Sequence, residues 1–209
     1  MASAERTVIA LELHPNSGVT PEDIKSAVVN HVVSAAMREP HRFGNDSAVR
    51  LLQDRADGRH LLLVSADSSW SPTATIGNLG LITRIDHLGS FHFVALASLD
   101  GTETTGRTDP GRGLGNDIRL FELRPASGRT ADDLAEAVDT QLATRVGAPP
   151  TRSGNVLNVS LLRQNDADRH LLFFGVDAGT SPNNESRLAA LRDTADVKEL
   201  GSFIQRSLS

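Results

Sequence analysis

The chain has 209 residues, 39% of them apolar and 4% aromatic, with a formal net charge of −5 and a pI near 5.8; that is enough for one large or two small folded domains. The acidic balance, without any stripe of Lys or Arg, argues against a nucleic-acid surface, few aromatics argue against single-strand stacking, and the lack of cysteine removes disulfides, thiolate metal sites and Cys nucleophiles. No apolar run reaches the length of a membrane span, and residues 1–6 lack the basic start and apolar core of a signal peptide, so the expectation is a cytoplasmic protein with no membrane partner.

Thr7 to His14 is β-branched and apolar with partial alternation, and Pro15-Asn16-Ser17-Gly18 ends it, which predicts a first strand. Thr20 then stands as N-cap, with Pro21 at the first helical position and Glu22 and Asp23 where the helix dipole favours acids. Ile24, Ala27, Val28, His31, Val32 and Ala35 follow at helical spacing until Pro40, and residues 41–47 read as a polar connector. Residues 48–53 predict a second strand, Ala56-Asp57-Gly58-Arg59 a hairpin turn, and residues 60–66 a third strand. A second helix is expected over 74–88, weakened by Gly77 and Gly80, with Leu88-Gly89-Ser90 as its cap and Phe91 to Ser98 as strand four. The order is βαββαβ, the ferredoxin-like plan.

The plan is then repeated. Asp57-Gly58-Arg59-His60-Leu61-Leu62 returns as Asp168-Arg169-His170-Leu171-Leu172, the two histidines standing 110 residues apart, a domain-sized period. Leu11-Glu12-Leu13-His14-Pro15 returns as Phe121-Glu122-Leu123-Arg124-Pro125, Thr20 as Thr130, and Leu88-Gly89-Ser90-Phe91 as Leu200-Gly201-Ser202-Phe203 after a last helix expected over 185–200. The expected division is a first repeat over 1–98, a Gly-rich linker over 99–116 and a second repeat over 117–209. In strands one and three both faces carry apolar residues, so an open sheet would leave an aggregation-prone face. Two such sheets facing each other as a fused α+β barrel remove that problem.

Two facing βαββαβ units resemble the dimeric α+β barrel superfamily, and the nearest family by pattern is the antibiotic biosynthesis monooxygenase type. Asp67-Ser68-Ser69-Trp70-Ser71, an acid and a Trp after strand three, is similar to that family's strand-end Trp motif. The family's His in the next helix is absent at its expected place, with His87 the candidate substitute. The resemblance implies a cofactor-independent monooxygenase or cyclase of secondary metabolism, acting on an aromatic or polyketide-like small molecule, as a monomer or homodimer of fused repeats. It also leaves open haem, which some fused α+β barrels bind, and a non-catalytic barrel that binds a small molecule or a protein.

Alternation selects residues for the site. If Ile9, Leu11 and Leu13 face the helices, Glu12 and His14 face the other way, and by the repeat so do Glu122 and Arg124. A carboxylate beside an imidazole can serve as orienter and base for a substrate proton, and a solvated or ion-paired strand end is the competing account. Glu12, His14 and Trp70 are the candidate catalytic residues; His87, His92, Glu122 and Arg124 are the candidate substrate-binding residues, with no cofactor or metal expected. Trp70, His87 and His92 are singled out because the second copy has Thr180, Glu199 and Ile204 in their places. His60 and His170, being repeated, are read as hairpin-closing residues with metal or haem ligation the alternative.

Overall fold

The computed structural model describes residues 6–43, 49–67, 70, 72–98, 117–142, 156–176 and 188–208; the 99–116 linker and Thr180 lie outside them. The protein is of mixed α+β class and divides into two compact units, Met1–Phe91 together with Ile204–Ser209, and His92–Phe203.

In the first unit, strands β1 (Arg6–Pro15), β2 (Val49–Asp54), β3 (His60–Asp67) and the first part of β4 (Thr83–Ser98) form an antiparallel sheet in the order β4-β1-β3-β2. Helix α1 (Pro21–Val28) begins where the chain dictates. Thr20 Oγ1 accepts from the Asp23 N–H at 3.2 Å, Asp23 Oδ2 accepts from the Thr20 N–H at 2.8 Å, and Pro21 stands at the first helical position. The helix then widens into a π turn, Val29–Val33, in which both the backbone N–H and the hydroxyl of Ser34 donate to the Val29 carbonyl, before α2 (Ser34–Arg38). Ile9, Leu11 and Leu13 of β1 join Ile24, Val28 and Val32 of the helical segment, Leu51, Leu62 and Val64 in one core. The predicted alternation of β1 is therefore the observed one.

Val8, Ala10, Leu61 and Leu63, which point away from that core, are buried as well. At about 1.5–3 kcal/mol for each large apolar side chain removed from water, both faces contribute to stability.

Three sequence expectations are corrected. The connector at 41–47 begins as a helical turn, α3 (Pro40–Phe43), whose Phe43 is buried against Trp70, so the helical region runs past Pro40. The helix expected over 74–88 is only α4 (Thr73–Ile76) followed by a 3-10 turn, Gly77–Leu81. Gly77 and Gly80 shorten it, and Thr83 to Phe91 is claimed instead by the ladder with β1, Leu13 opposite Ile85 and Glu12 opposite Asp86. Strand four thus starts at Thr83, not Phe91, and His87 lies on a strand. The ladder slips one residue between Ala10 and Leu11, opposite Gly89, whose φ of +137° suits glycine.

The second unit shows the same devices. Strands β5 (Asp117–Pro125), β6 (Val156–Gln164), β7 (His170–Val176) and β8 (Ala195–Arg206, to Phe203 in this unit) pair in the order β8-β5-β7-β6. Helix α5 (Ala131–Gln141) has the same reciprocal cap between Thr130 and Asp133, and packs Leu134 and Val138 against Phe121, Leu123, Leu161, Leu172 and Phe174. The slip recurs between Leu120 and Phe121, and Gly201, with φ of +154°, takes the place of Gly89. Here too the helix expected over 185–200 is corrected. Among the described residues of that range, 188–191 are helical and β8 starts at Ala195, because Leu123 and Glu122 draw Val197 and Lys198 into the ladder.

Candidate functional site

Glu12 and His14 lie on the helix-free face of β1, where the alternation put them, and they come together in a chain of charges. Arg59, the last residue of the β2–β3 turn, donates through Nη1 to Glu12 Oε1 at 2.6 Å and through Nη2 to Asp54 Oδ2 at 2.9 Å, with Asp57 Oδ2 3.3 Å from its Nε. The turn that delivers it is held by Asp54, whose Oδ1 accepts from the Ala56 N–H, and by Gly58 at φ +73°. Burial would lower the Arg59 guanidinium, but its bonds to Glu12 and Asp54 hold it above its ordinary value.

The chain of charges continues through His14. Its Nε2 lies 3.7 Å from Glu12 Oε1 and 3.1 Å from Asp86 Oδ2, and Asp86 in turn accepts from Arg84 Nη2 at 3.0 Å. The His14–Asp86 approach is an ion-pair distance without hydrogen-bond alignment. His14 is 31% exposed and Glu12 19%; the His14 Nε2 atom between the two carboxylates is itself buried, so the exposure belongs to the rest of the ring. An imidazole flanked by two carboxylates can take a proton and be stabilised once it carries it.

The remaining residues singled out from sequence do not join this pair. Trp70 is buried in the helix-side core, its ring edge-on to Phe43 with centroids 4.9 Å apart. His87 is exposed and pairs with Leu11, on the side of β1 away from Glu12. His92 belongs to the second unit, half-buried, with Nδ1 3.1 Å from Asn165 Oδ1.

Glu122 and Arg124 form their own cluster. Arg124 Nε donates to Glu122 Oε1 at 3.1 Å and Arg169 Nε to Glu122 Oε2 at 2.9 Å. Burial works against ionisation of Glu122, but the two arginines outweigh it and hold the carboxyl below its ordinary value.

Arg59 and Arg169 are partners of Glu12 and Glu122 that local reading missed. A signal for them was present, since each stands 47 residues after its glutamate in both copies. The histidines beside them do not close the hairpins by hydrogen bonding. His60 and His170 are 0% exposed, and among the described residues no ring nitrogen of either has a hydrogen-bond partner. Burial, followed by the charge of Arg206, lowers His60 to about 4, offset in part by the Gly58 backbone lying outside good hydrogen-bond geometry. Burial followed by Arg163 lowers His170 to about 4 as well, with Asp168 opposing and His92 adding to the effect.

A haem iron would need a ring nitrogen that faces an open slot, and both rings are fully buried, so these two histidines do not fit that group. Among the described residues no three His, Asp or Glu side chains gather at metal-binding spacing, and no helix is long and apolar enough to cross a membrane.

No family model and no curated protein sequence matches the chain. Solved structures do match it. A candidate monooxygenase from Lactobacillus acidophilus NCFM aligns over 96% of this chain and 94% of its own, at 10% identity and a TM-score of 0.57. An anthrone oxidase-like protein aligns over 98% and 92%, at 12% identity and a TM-score of 0.54. A candidate chlorite dismutase aligns over 97% and 94%, at 8% identity and a TM-score of 0.61. At these identities the likeness is one of fold: the chain shares the α+β fold of proteins named as monooxygenases, anthrone oxidase and chlorite dismutase.

Proposed function

We propose that the chain is a cofactor-independent monooxygenase or cyclase for an aromatic or polyketide-like small molecule of secondary metabolism, with Glu12 and His14 handling the substrate proton. The observation that carries this is the imidazole of His14, one-third exposed and set between Glu12 and Asp86. In this reading His14 removes an acidic proton from the substrate through Nδ1, and the two carboxylates beside its buried Nε2 stabilise the imidazolium. Arg59 holds Glu12 in place. The deprotonated substrate is then electron-rich enough to react with dioxygen or to close on its own carbonyl. Glu122 and Arg124 bind substrate through the second unit's strand β5. Duplication of one βαββαβ plan belongs to the same reading, supported by the recurring caps, bulges and Glu–Arg pairs.

Anthrone is the first substrate to try, because a protein of the same fold is named anthrone oxidase-like. One anthrone and one dioxygen give one anthraquinone and one water, so oxygen uptake and quinone absorbance should rise together. His14→Ala should lower turnover by about 10²-fold or more, the scale of a lost general base. Turnover unchanged in His14→Ala would refute the site. A panel of anthrones and related phenols without any turnover would refute the activity.

A second reading follows from the ion pairs themselves. Glu12, Asp54, Arg59, Asp86 and Arg84 are already paired with one another, as in the wall of a non-catalytic binding module. Saturable ligand binding without turnover would favour it.

A further inference from the structure

The equivalent strand mouths of the two units differ in charge. In the first, Glu12, Asp54 and Asp86 stand against Arg59 and Arg84 beside His14, an excess of one negative charge among those five side chains before Asp57 is added. Several positions change in the second unit. Arg124 replaces His14, Gln164 replaces Asp54, Lys198 replaces Asp86 and Asp196 replaces Arg84, while Glu122, Asp168 and Arg169 keep Glu12, Asp57 and Arg59. The strand registers make these true counterparts: Glu12 faces Asp86 and His14 faces Arg84 on the β1–β4 ladder, and Glu122 faces Lys198 and Arg124 faces Asp196 on the β5–β8 ladder. Arg124, Arg169 and Lys198 therefore stand against Glu122 and Asp196, an excess of one positive charge before Asp168 of the turn is added.

The geometry points to an oxyanion-binding site in the second unit, formed by Arg124 and Lys198 beside the Glu122–Arg169 pair, that takes the carboxylate or phosphate group of a small molecule. Both arginines spend their Nε on the single carboxylate of Glu122, one on each oxygen. That fixes the Arg124 side chain at its Nε while it remains 62% exposed, so its Nη end is held near the surface where an oxyanion can meet it. A guanidinium presents a planar fork that matches two oxygens of a carboxylate or phosphate, and a pre-positioned fork loses less freedom on binding than a loose one. Lys198, opposite Glu122 on the neighbouring strand, adds a second cation on the same face. The Glu122 carboxyl, held below its ordinary value by the two arginines, agrees with a positive local field. Asp196 opposite Arg124 limits that field without cancelling it. This inference rests on the reading of Glu122 and Arg124 as substrate-binding residues and specifies the ligand group they take.

The test is a titration of the full chain with benzoate and, separately, inorganic phosphate, at constant ionic strength made up with chloride and followed by 1H–15N NMR. Saturable shifts at Glu122, Arg124 and Lys198 with either anion are expected, with smaller ones at Glu12 and His14. Benzoate alone would identify a carboxylate site, phosphate alone a phosphoryl site, and both a general oxyanion site. Arg124→Gln and Lys198→Gln, both at exposed positions, should each weaken binding several-fold, and together at least tenfold. Shifts that do not saturate, that are equal at the first unit's mouth, or that persist in the double variant overturn the proposal. No step of this test uses turnover, so a protein that binds oxyanions but oxidises nothing refutes the proposed activity alone, and an active protein without saturable oxyanion shifts refutes this site alone.

Discussion

Arg59 Nη1 lies 2.6 Å from Glu12 Oε1 across 47 residues of chain, and Arg169 Nε lies 2.9 Å from Glu122 Oε2 across the same 47. In the first unit this contact also protects Asp54, whose carboxylate side chain is only 3% exposed and shares the same guanidinium. Arg59→Ala would leave a buried carboxylate without that partner, and it should cost about 3 kcal/mol. Urea unfolding midpoints check this. Arg59→Lys should recover only part of the loss, because an ammonium lacks the fork that spans Glu12 and Asp54.

Acid should destabilise the fold through His60 and His170. Both are held near 4 in the folded chain, below the ordinary 6.5 that applies when unfolded. The unfolded chain therefore binds more protons between those values, so stability is full above about pH 6.5 and falls as pH drops toward 4. The gap corresponds to at most roughly 3 kcal/mol per ring. Denaturation midpoints measured from pH 7.5 to 4.5 should fall, and the double variant His60→Leu with His170→Leu should show a flatter profile. An unchanged slope in that variant would assign the acid sensitivity to other groups.

Trp70 offers a probe of its own placement. Buried against Phe43 in the helix-side core, it should emit at short wavelength when native, shift to the red on unfolding, and lose about 3–5 kcal/mol of stability as Trp70→Ala. Titration with an active substrate should leave its emission nearly unchanged. Strong quenching by substrate would bring Trp70 back among the residues that touch it.

The two helix starts should respond alike. Thr20→Ala and Thr130→Ala each remove the hydroxyl that accepts from the third helical N–H, and each should cost about 1 kcal/mol, with serine restoring most of it. A cost confined to one of them would show that the caps differ in weight despite identical geometry.

The contrast between β1 and β4 shows how much of this was open to inspection in the chain. Ile9, Leu11 and Leu13 alternate with Val8, Ala10 and Glu12, and that period alone assigned the faces correctly, because a strand's side-chain direction is a local property. Thr83 to Leu88 is too short and too mixed for such a signal, and beside Leu79 and Ile82 it passes for the end of a helix. Its pairing with β1 decides otherwise, and a ladder depends on a partner some seventy residues away in the chain. The site divides the same way: Glu12 and His14 were visible as neighbours on one face, whereas Arg59 and Asp86 were not visible as their partners.

Taken alone, the sequence determined the order of elements in each unit, the capped starts of α1 and α5, the buried face of β1 and the two-fold recurrence of the Glu and Arg-His positions. These rest on interactions within a few residues or on the side-chain period. Tertiary structure alone decided that β4 begins at Thr83 and β8 at Ala195, that Ile204–Ser209 belong with the first unit, and that Arg59 closes on Glu12 and Asp54 while Arg169 closes on Glu122. Ladder hydrogen bonds and charge pairs of that kind form between groups brought close only when the chain folds, so no local window of residues contains them.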